Sequence, residues 1–171
     1  MKILINSNYS FLKDYIDNLP FFFEKDGTEI YSGRNLIKVF SINGLKINVK
    51  RYGIPRFINR IIYSFFRKPK GLRAYLYPQI LLDKGFETPE PIAYIEERRY
   101  GIIRYSYFVS IQSPYRFTFY QFGDSTPDKY GDIITAFAHY TARLHEAGIL
   151  HRDYSPGNIL FDKVEGEYHF S

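Results

Sequence analysis

Apolar and polar positions change rhythm several times along the chain, and each change marks an element. From Glu29 onward, Ile30, Leu36, Ile37, Val39, Phe40, Ile42, Leu45, Ile47 and Val49 fall in short runs, separated by Ser32-Gly33-Arg34-Asn35 and by Asn43-Gly44. Asn-Gly between apolar runs suits a tight hairpin, because both residues tolerate positive φ, so the segment is predicted to be an antiparallel meander. The period then lengthens. Ile54, Phe57, Ile58, Ile61, Ile62, Phe65 and Phe66 recur at helical spacing, with Pro55 in the first turn, and predict a helix over 54–66. A second helix is predicted over 72–84, closed by Gly85. Strands follow over 88–96 and 101–111, broken at Gln112-Ser113-Pro114, the candidate hinge. Ile133, Ile134, Phe137, Ala138, Thr141 and Leu144 place a helix over 129–147 that Gly148 ends, and Ile159–Phe161 and Tyr168–Phe170 flank a turn assigned to 162–166, Asp162 included. Residues 1–27 show no clean period and read as a helix or an irregular segment. The pattern is that of an α+β chain.

Composition narrows the class. Of 171 residues 45% are hydrophobic and 19% aromatic, enough for a packed core and against disorder. There is no cysteine, which excludes disulfides, thiol nucleophiles and thiolate metal sites and fits a reducing compartment. No run approaches the roughly 20 apolar residues of a spanning helix, and the start, Met1–Asn6, is too short for a signal peptide. A cytoplasmic protein is expected. Charge is uneven: eight acidic and four basic residues lie from Asp124 on, against 18 and 23 in the whole chain. Anionic partners are therefore expected mainly in the basic first part.

The candidate chemistry lies in His151-Arg152-Asp153-Tyr154-Ser155-Pro156-Gly157-Asn158-Ile159-Leu160-Phe161. An aspartate followed five positions on by an asparagine, between a helix and a strand, suits a carboxylate aimed at a substrate hydroxyl and an amide aimed at a metal-bound nucleotide. Two other readings stay open. Asp, Ser, Pro, Gly and Asn also build ordinary connections; and His151, Asp153 and His169 could make a facial iron triad, which would need an all-β scaffold that the helix before His151 does not offer. His139 and His145, six residues apart on one helix, do not share a face and are read as structural.

The His-x-Asp-x-x-x-x-Asn spacing followed by Ile159, Leu160 and Phe161 resembles the protein-kinase-like superfamily. Ser155 in place of the lysine usual in Ser/Thr protein kinases, the Pro156-Gly157-Asn158 ending, Thr88-Pro89-Glu90-Pro91-Ile92-Ala93-Tyr94 and Val49-Lys50-Arg51-Tyr52 together are similar to the bacterial lipopolysaccharide kinase (Kdo/WaaP) family. The resemblance covers about residues 29–171. It implies a protein-kinase-like α+β fold, with an antiparallel-sheet N-lobe over 1–111 and the first, truncated part of a helical C-lobe over 112–171. It implies ATP and Mg2+ as cofactors, with Asp153 as the catalytic base and Asn158 as the metal ligand. Lys50, placed at the end of a strand over 46–50, would contact the nucleotide phosphates, and the turn at Gly33 would cover them. The expected reaction is phosphorylation of a sugar hydroxyl of the lipopolysaccharide core. The partners implied are a glycolipid or sugar acceptor and an anionic membrane at the inner face of the inner membrane, with no nucleic acid. Two departures stand out. The helix glutamate of kinases falls near Leu76, with no acidic residue from Gly53 to Leu82, and the Asp-Phe-Gly aspartate would come after Ser171. They keep a second function open, a non-catalytic kinase-like module that binds an anionic glycolipid or a protein.

No acidic residue occurs from Arg51 to Arg73, while Arg56, Arg60, Arg67, Lys68, Lys70 and Arg73 cluster there. Such a helix either packs on the sheet with a solvated basic face or meets an anionic membrane or phosphorylated glycolipid. If it meets membrane phosphates, binding to anionic vesicles falls as salt rises, since exposed charges are screened over about 8 Å at physiological ionic strength. Each surface cation contributes on the order of 1 kcal/mol, so Arg67→Glu, Lys68→Glu and Lys70→Glu together should weaken binding by roughly two orders of magnitude. Equal binding by the triple variant, or binding that ignores salt, would make the face merely solvated.

Overall fold

A computed structural model describes residues 1–54, 64, 68–122 and 130–171. The helix expected over 54–66 and the loop expected over 124–128 lie outside the described residues, apart from Ile54 and Ser64. The chain divides into two units, one of residues 1–83 and 89–112, the other of 84–88 and 113–171. Residues 84–88, expected with the first lobe, group with the second unit.

The first unit is a six-stranded antiparallel sheet with a helix on each face. Its strands are β1 (Lys2–Ile5), β2 (Thr28–Ser32), β3 (Asn35–Ile42), β4 (Leu45–Tyr52), β5 (Pro91–Arg99) and β6 (Ile102–Ile111), in the order β1-β5-β6-β4-β3-β2. Two-residue turns set the register of two of its hairpins. Asn43 (φ 49°) and Gly44 (φ 78°) join β3 to β4 with Ile42 opposite Leu45, as the sequence predicts, and Tyr100 (φ 53°) and Gly101 (φ 76°) do the same between β5 and β6. Successive side chains of β4 alternate between the faces: Ile47 and Val49 enter the core, while Asn48 and Lys50 point the other way.

The core face is covered by α1 (Lys13–Phe22), the helical one of the two alternatives that the sequence reading left open for residues 1–27. Leu12, Ile16, Leu19 and Phe23, spaced four, three and four apart, form its buried stripe and pack on Phe40, Ile47, Val49, Ala93, Ile95, Tyr107 and Val109. The end of α1 is held by cations from the sheet. Lys38 of β3, 7% exposed, donates from Nζ to the carbonyls of Phe23 (2.8 Å), Glu24 (3.1 Å) and Asp26 (3.1 Å). These are orphan acceptors of a helix end, where positive charge is also favoured by the helix dipole. Arg51 pairs with Glu24 and lies over the rings of Phe23 and Tyr105.

On the other face lies α2 (Lys70–Asp83), against β5 and β6. Gly85 follows with φ 76°, the left-handed residue expected after a helix end.

The second unit is built round α3 (Gly131–Glu146) and a three-stranded sheet, β7 (Phe117–Thr118), β8 (Leu160–Val164) and β9 (Glu167–Phe170), in that order. Ile133, Ile159, Phe161 and Phe170 form its core with Phe117, Phe119, Phe122, Phe137 and Tyr140 packed round them. Here one expectation is corrected. The turn is Glu165-Gly166, both at positive φ, and Asp162 sits inside β8 opposite His169. It is buried, and Arg116 donates to it from Nε (2.9 Å) and Nη2 (3.2 Å). A carboxylate that meets such a fork stays in the strand because the ion pair offsets its burial, and the Arg116 hydrogen bonds hold its pKa below the usual carboxylate range. Among the described residues no helix is long and apolar enough to cross a membrane.

The Lys38 contact carries a stability prediction. Lys38→Met keeps the aliphatic stem but leaves three helix-end carbonyls without their donor, a loss of about 3 kcal/mol. For a chain of this size that lowers the melting temperature by roughly 6–12 °C. Thermal unfolding followed by circular dichroism tests it, and a shift of under about one degree, well below that range, would show that water replaces the ammonium at no cost.

Candidate active site

The loop that carries Asp153 is fixed at both ends and in the middle. At its start α3 ends with Gly148 at φ 73°, where the N–H groups of Gly148 and Ile149 reach the carbonyls of His145 (2.9 Å) and Leu144 (2.8 Å), so the chain leaves the helix sharply. At its far end Ile159 is buried in the core of the second unit, and Leu160 and Ser171 exchange a pair of backbone hydrogen bonds at 2.9 Å. Between them Tyr154 lays its ring on Phe137, centroids 5.2 Å apart and planes 29° apart, and its hydroxyl meets that of Thr141 at 2.9 Å. Both partners are on α3, so one side chain pins the loop to the helix before it. Burial raises the Tyr154 phenol above its ordinary pKa, keeping it neutral.

The second half of the loop, Pro156–Asn158, is a turn of 3-10 helix with the proline at its start. Gly157 is required there: a Cβ would stand 2.5 Å from Cε2 of Tyr120, in the 3-10 turn Phe119–Phe122. Asn158 closes the loop on itself. Its Nδ2 donates to the carbonyl of Asp153 and to Oγ of Ser155, each at 3.0 Å, and its N–H bonds the Ser155 carbonyl at 2.9 Å. Ser155 therefore has a role in shaping the loop that the sequence reading did not assign.

Two oxygen functions remain. The Asp153 carboxylate is exposed and has no hydrogen-bond or ion-pair partner among the described residues, and the same holds for Oδ1 of Asn158. Both are acceptors only, and the amide donors of Asn158 between them are already used. That suits a proton from a hydroxyl on one side and a hard cation on the other. No three of His, Cys, Asp and Glu come together as a metal site among the described residues, so the iron-triad reading has no support there. His169 instead stands 3.0 Å from Glu87, which also accepts from Tyr115.

In the first unit, Lys50 lies inside β4, two residues before its end rather than at it, paired across to Ile37 and Phe108. Its Nζ is 5.5 Å from the centroid of the Tyr52 ring. Gly33 occupies the β2–β3 turn and its N–H bonds the Asn35 carbonyl at 3.0 Å. A Cβ on Gly33 would meet only the end of the Tyr31 side chain, whereas one on Gly53 would fall 2.2 Å from the backbone oxygen of Arg34. The glycine that this hairpin depends on sterically is thus Gly53, which the sequence reading passed over. On α2 the position expected for a glutamate is Leu76, and the helix's acid, Asp83, accepts from Gln79 at 3.0 Å. Glu96 of β5, 2% exposed, is the buried carboxylate of this unit, and it accepts from Tyr94 and from Nε of Arg98 (2.6 Å).

No protein-family model and no curated protein matches the sequence. Among solved structures, the chain matches "WaaP in complex with acyl carrier protein" with a TM-score of 0.60 at 16% identity, over 100% of this chain and 69% of that one. At that identity the likeness is one of fold, the kinase-like α+β fold.

Proposed function

We propose that this protein is an ATP-dependent phosphotransferase whose acceptor is a sugar hydroxyl, most closely of the lipopolysaccharide-core type. The observation that carries the reading is the self-closed loop 153–158, which uses up the Asn158 amide donors and leaves the Asp153 carboxylate and the Asn158 carbonyl facing out. The kinase-like fold shared with WaaP supports it.

In this reading residues 1–111 are the nucleotide-holding lobe and 112–171 begin the helical lobe. Asp153 accepts the proton of the acceptor hydroxyl as its oxygen attacks the γ-phosphorus. Lys50 holds phosphate oxygens, and the turn at Gly33 approaches them closely. Asn158 offers its carbonyl oxygen to Mg2+, and the metal, when bound with ATP, supplies neutralisation of the phosphate charge. The protein's share is therefore mostly positioning and electrostatics. A sugar acceptor is favoured over a protein one by Ser155, which bonds Asn158 where Ser/Thr protein kinases carry a lysine. The basic stretch 51–73 favours peripheral contact with an anionic inner membrane. One observation favours a second reading: α2 presents no acid before Asp83, as in a module that has lost catalysis and binds a glycolipid or a protein. Since WaaP was solved with acyl carrier protein, such a carrier is the first protein partner to try.

Turnover separates the two readings. Asp153→Ala should lower ATP-dependent phosphorylation of a lipopolysaccharide-core saccharide by at least about 100-fold while Mg-ATP affinity stays nearly constant, since a general base contributes roughly that factor. Normal turnover in that variant would remove the central assignment. Lys50→Met should weaken Mg-ATP binding in calorimetry with the melting temperature of the free protein little changed; unchanged affinity with a large loss of stability would make Lys50 structural instead.

A further inference from the structure

The first turn of α2 brings a second cation to the face of the sheet that carries Lys50. Lys50 and Tyr52 point to the same face of β4, and Tyr52 stands opposite Ser106 of β6. Gly71 of α2 lies directly on this pair: a Cβ there would be 3.3 Å from Cε2 of Tyr52, 3.2 Å from Oγ of Ser106 and 3.0 Å from Cε2 of Tyr94. The missing side chain lets the helix start sit on the aromatic ring. Two residues further on is Arg73. Its charge opposes the effect of burial on the Tyr52 phenol, which burial nevertheless pushes up to about 12. The ring of Tyr52 thus has the Lys50 ammonium 5.5 Å from its centroid and the start of α2 against it at Gly71, two residues before Arg73.

Arg73 is chemically conspicuous. Its Nε is closed off from solvent and meets no hydrogen-bond acceptor among the described residues. A buried guanidinium donor in that condition is costly, and it is retained where an anion serves as its acceptor. The acid of α2 and the buried carboxylate of β5 have other partners: Asp83 is engaged by Gln79, and Glu96 by Tyr94 and Arg98. A polyphosphate has what the site asks for, several charged oxygens that one ligand can divide between a point-charge ammonium and a forked guanidinium.

We propose that Arg73 on α2 and Lys50 on β4 jointly bind the phosphates of a nucleotide, with the helix contributing a cation where a kinase helix contributes a carboxylate. The inference rests on reading Lys50 as a phosphate contact and extends it to the helix. It also gives the lack of acid on α2 a positive meaning. A helix that presents an anion-binding side chain is coupled to the strand lysine through the ligand, not through a salt bridge.

Calorimetry on the intact protein with Mg-ATP, inorganic tripolyphosphate and adenosine tests it, together with melting temperatures with and without tripolyphosphate. Arg73→Ala should weaken Mg-ATP and tripolyphosphate roughly tenfold, the worth of one charge-assisted contact, and leave adenosine unaffected. Arg73→Lys should recover part of the loss. Without phosphate Arg73→Ala should melt no lower than the parent, because it removes an uncompensated donor, whereas tripolyphosphate should raise the melting temperature of the parent more than that of the variant. With Lys50→Met added, the combined loss should differ from the sum of the single losses, as expected for groups that share a ligand. Unchanged tripolyphosphate affinity in Arg73→Ala, with Lys50→Met still weakened, overturns the role of Arg73 and leaves the kinase reading intact. A parent protein that binds neither Mg-ATP nor tripolyphosphate overturns both. Should Arg73→Ala fail to fold, Arg73→Gln carries the same comparison, and equal tripolyphosphate affinity in that variant overturns the proposal.

Discussion

The first unit depends on one buried ammonium. Without Lys38, the chain leaving α1 would lose the donor shared by the carbonyls of Phe23, Glu24 and Asp26, and the stripe Leu12, Ile16, Leu19 and Phe23 would lose a polar anchor to β3. Apolar packing alone tolerates a slide of one turn, since Ile, Leu and Phe present similar surfaces to the sheet. Three hydrogen bonds from one nitrogen do not, because each requires its acceptor within about 3 Å. The polar contact therefore sets the register of the helix, and hence the face of the sheet left for Lys50 and α2. Burial of the strands supplies the bulk of the free energy, and the lysine selects one arrangement among those that burial would allow.

The second unit solves the same problem by short-range means. The loop 151–158 is held by partners no more than seventeen residues away on its N-terminal side, Phe137 and Thr141 for Tyr154, and by Asn158 on its own backbone, with Tyr120 filling the space beside Gly157. A functional loop built this way is set before any ligand arrives. It leaves the Asp153 carboxylate and the Asn158 carbonyl oxygen without a partner among the described residues.

Much of this was legible. Asn43-Gly44 announced its hairpin because few dipeptides accept two positive φ angles, and α3 and the loop after it were found because helix period, glycine stop and the Asp-to-Asn spacing agree. Other parts were hidden for identifiable reasons. The stripe of α1 has a clean four-three-four spacing, but Phe11, Tyr15, Phe21 and Phe22 lie around it, and Phe11 and Phe21 are exposed at 61% and 77%, so aromatic residues off the stripe blur its contrast with the polar Lys13, Asp14, Asp17 and Asn18. Asp162 looked like a turn residue because its partner, Arg116, is 46 positions away and no local signal points to it. Lys38 drew no reading, because its acceptors are backbone carbonyls 12 to 15 positions away that no side-chain pattern marks. Arg73 was read only as one charge of a basic stretch, since the place of α2 on the sheet follows from the close approach of Gly71 to Tyr52 and Tyr94. Pattern reveals elements; long-range polar pairs reveal themselves only in three dimensions.

The position of β1 has a consequence for how the chain is made. Lys2 pairs with Glu96 and Ile5 with Ala93, so β1 has no partner until some ninety further residues have followed it. The hairpin β3–β4 closes as it emerges, but β5, whose residues Ile92–Glu96 are all buried, is covered on its outer side only when β1 returns to it. Until then the apolar run Ile92-Ala93-Tyr94-Ile95 is an open strand edge, the kind of surface that recruits a neighbouring chain. Strand β1 thus acts as a late shutter over the apolar edge of β5.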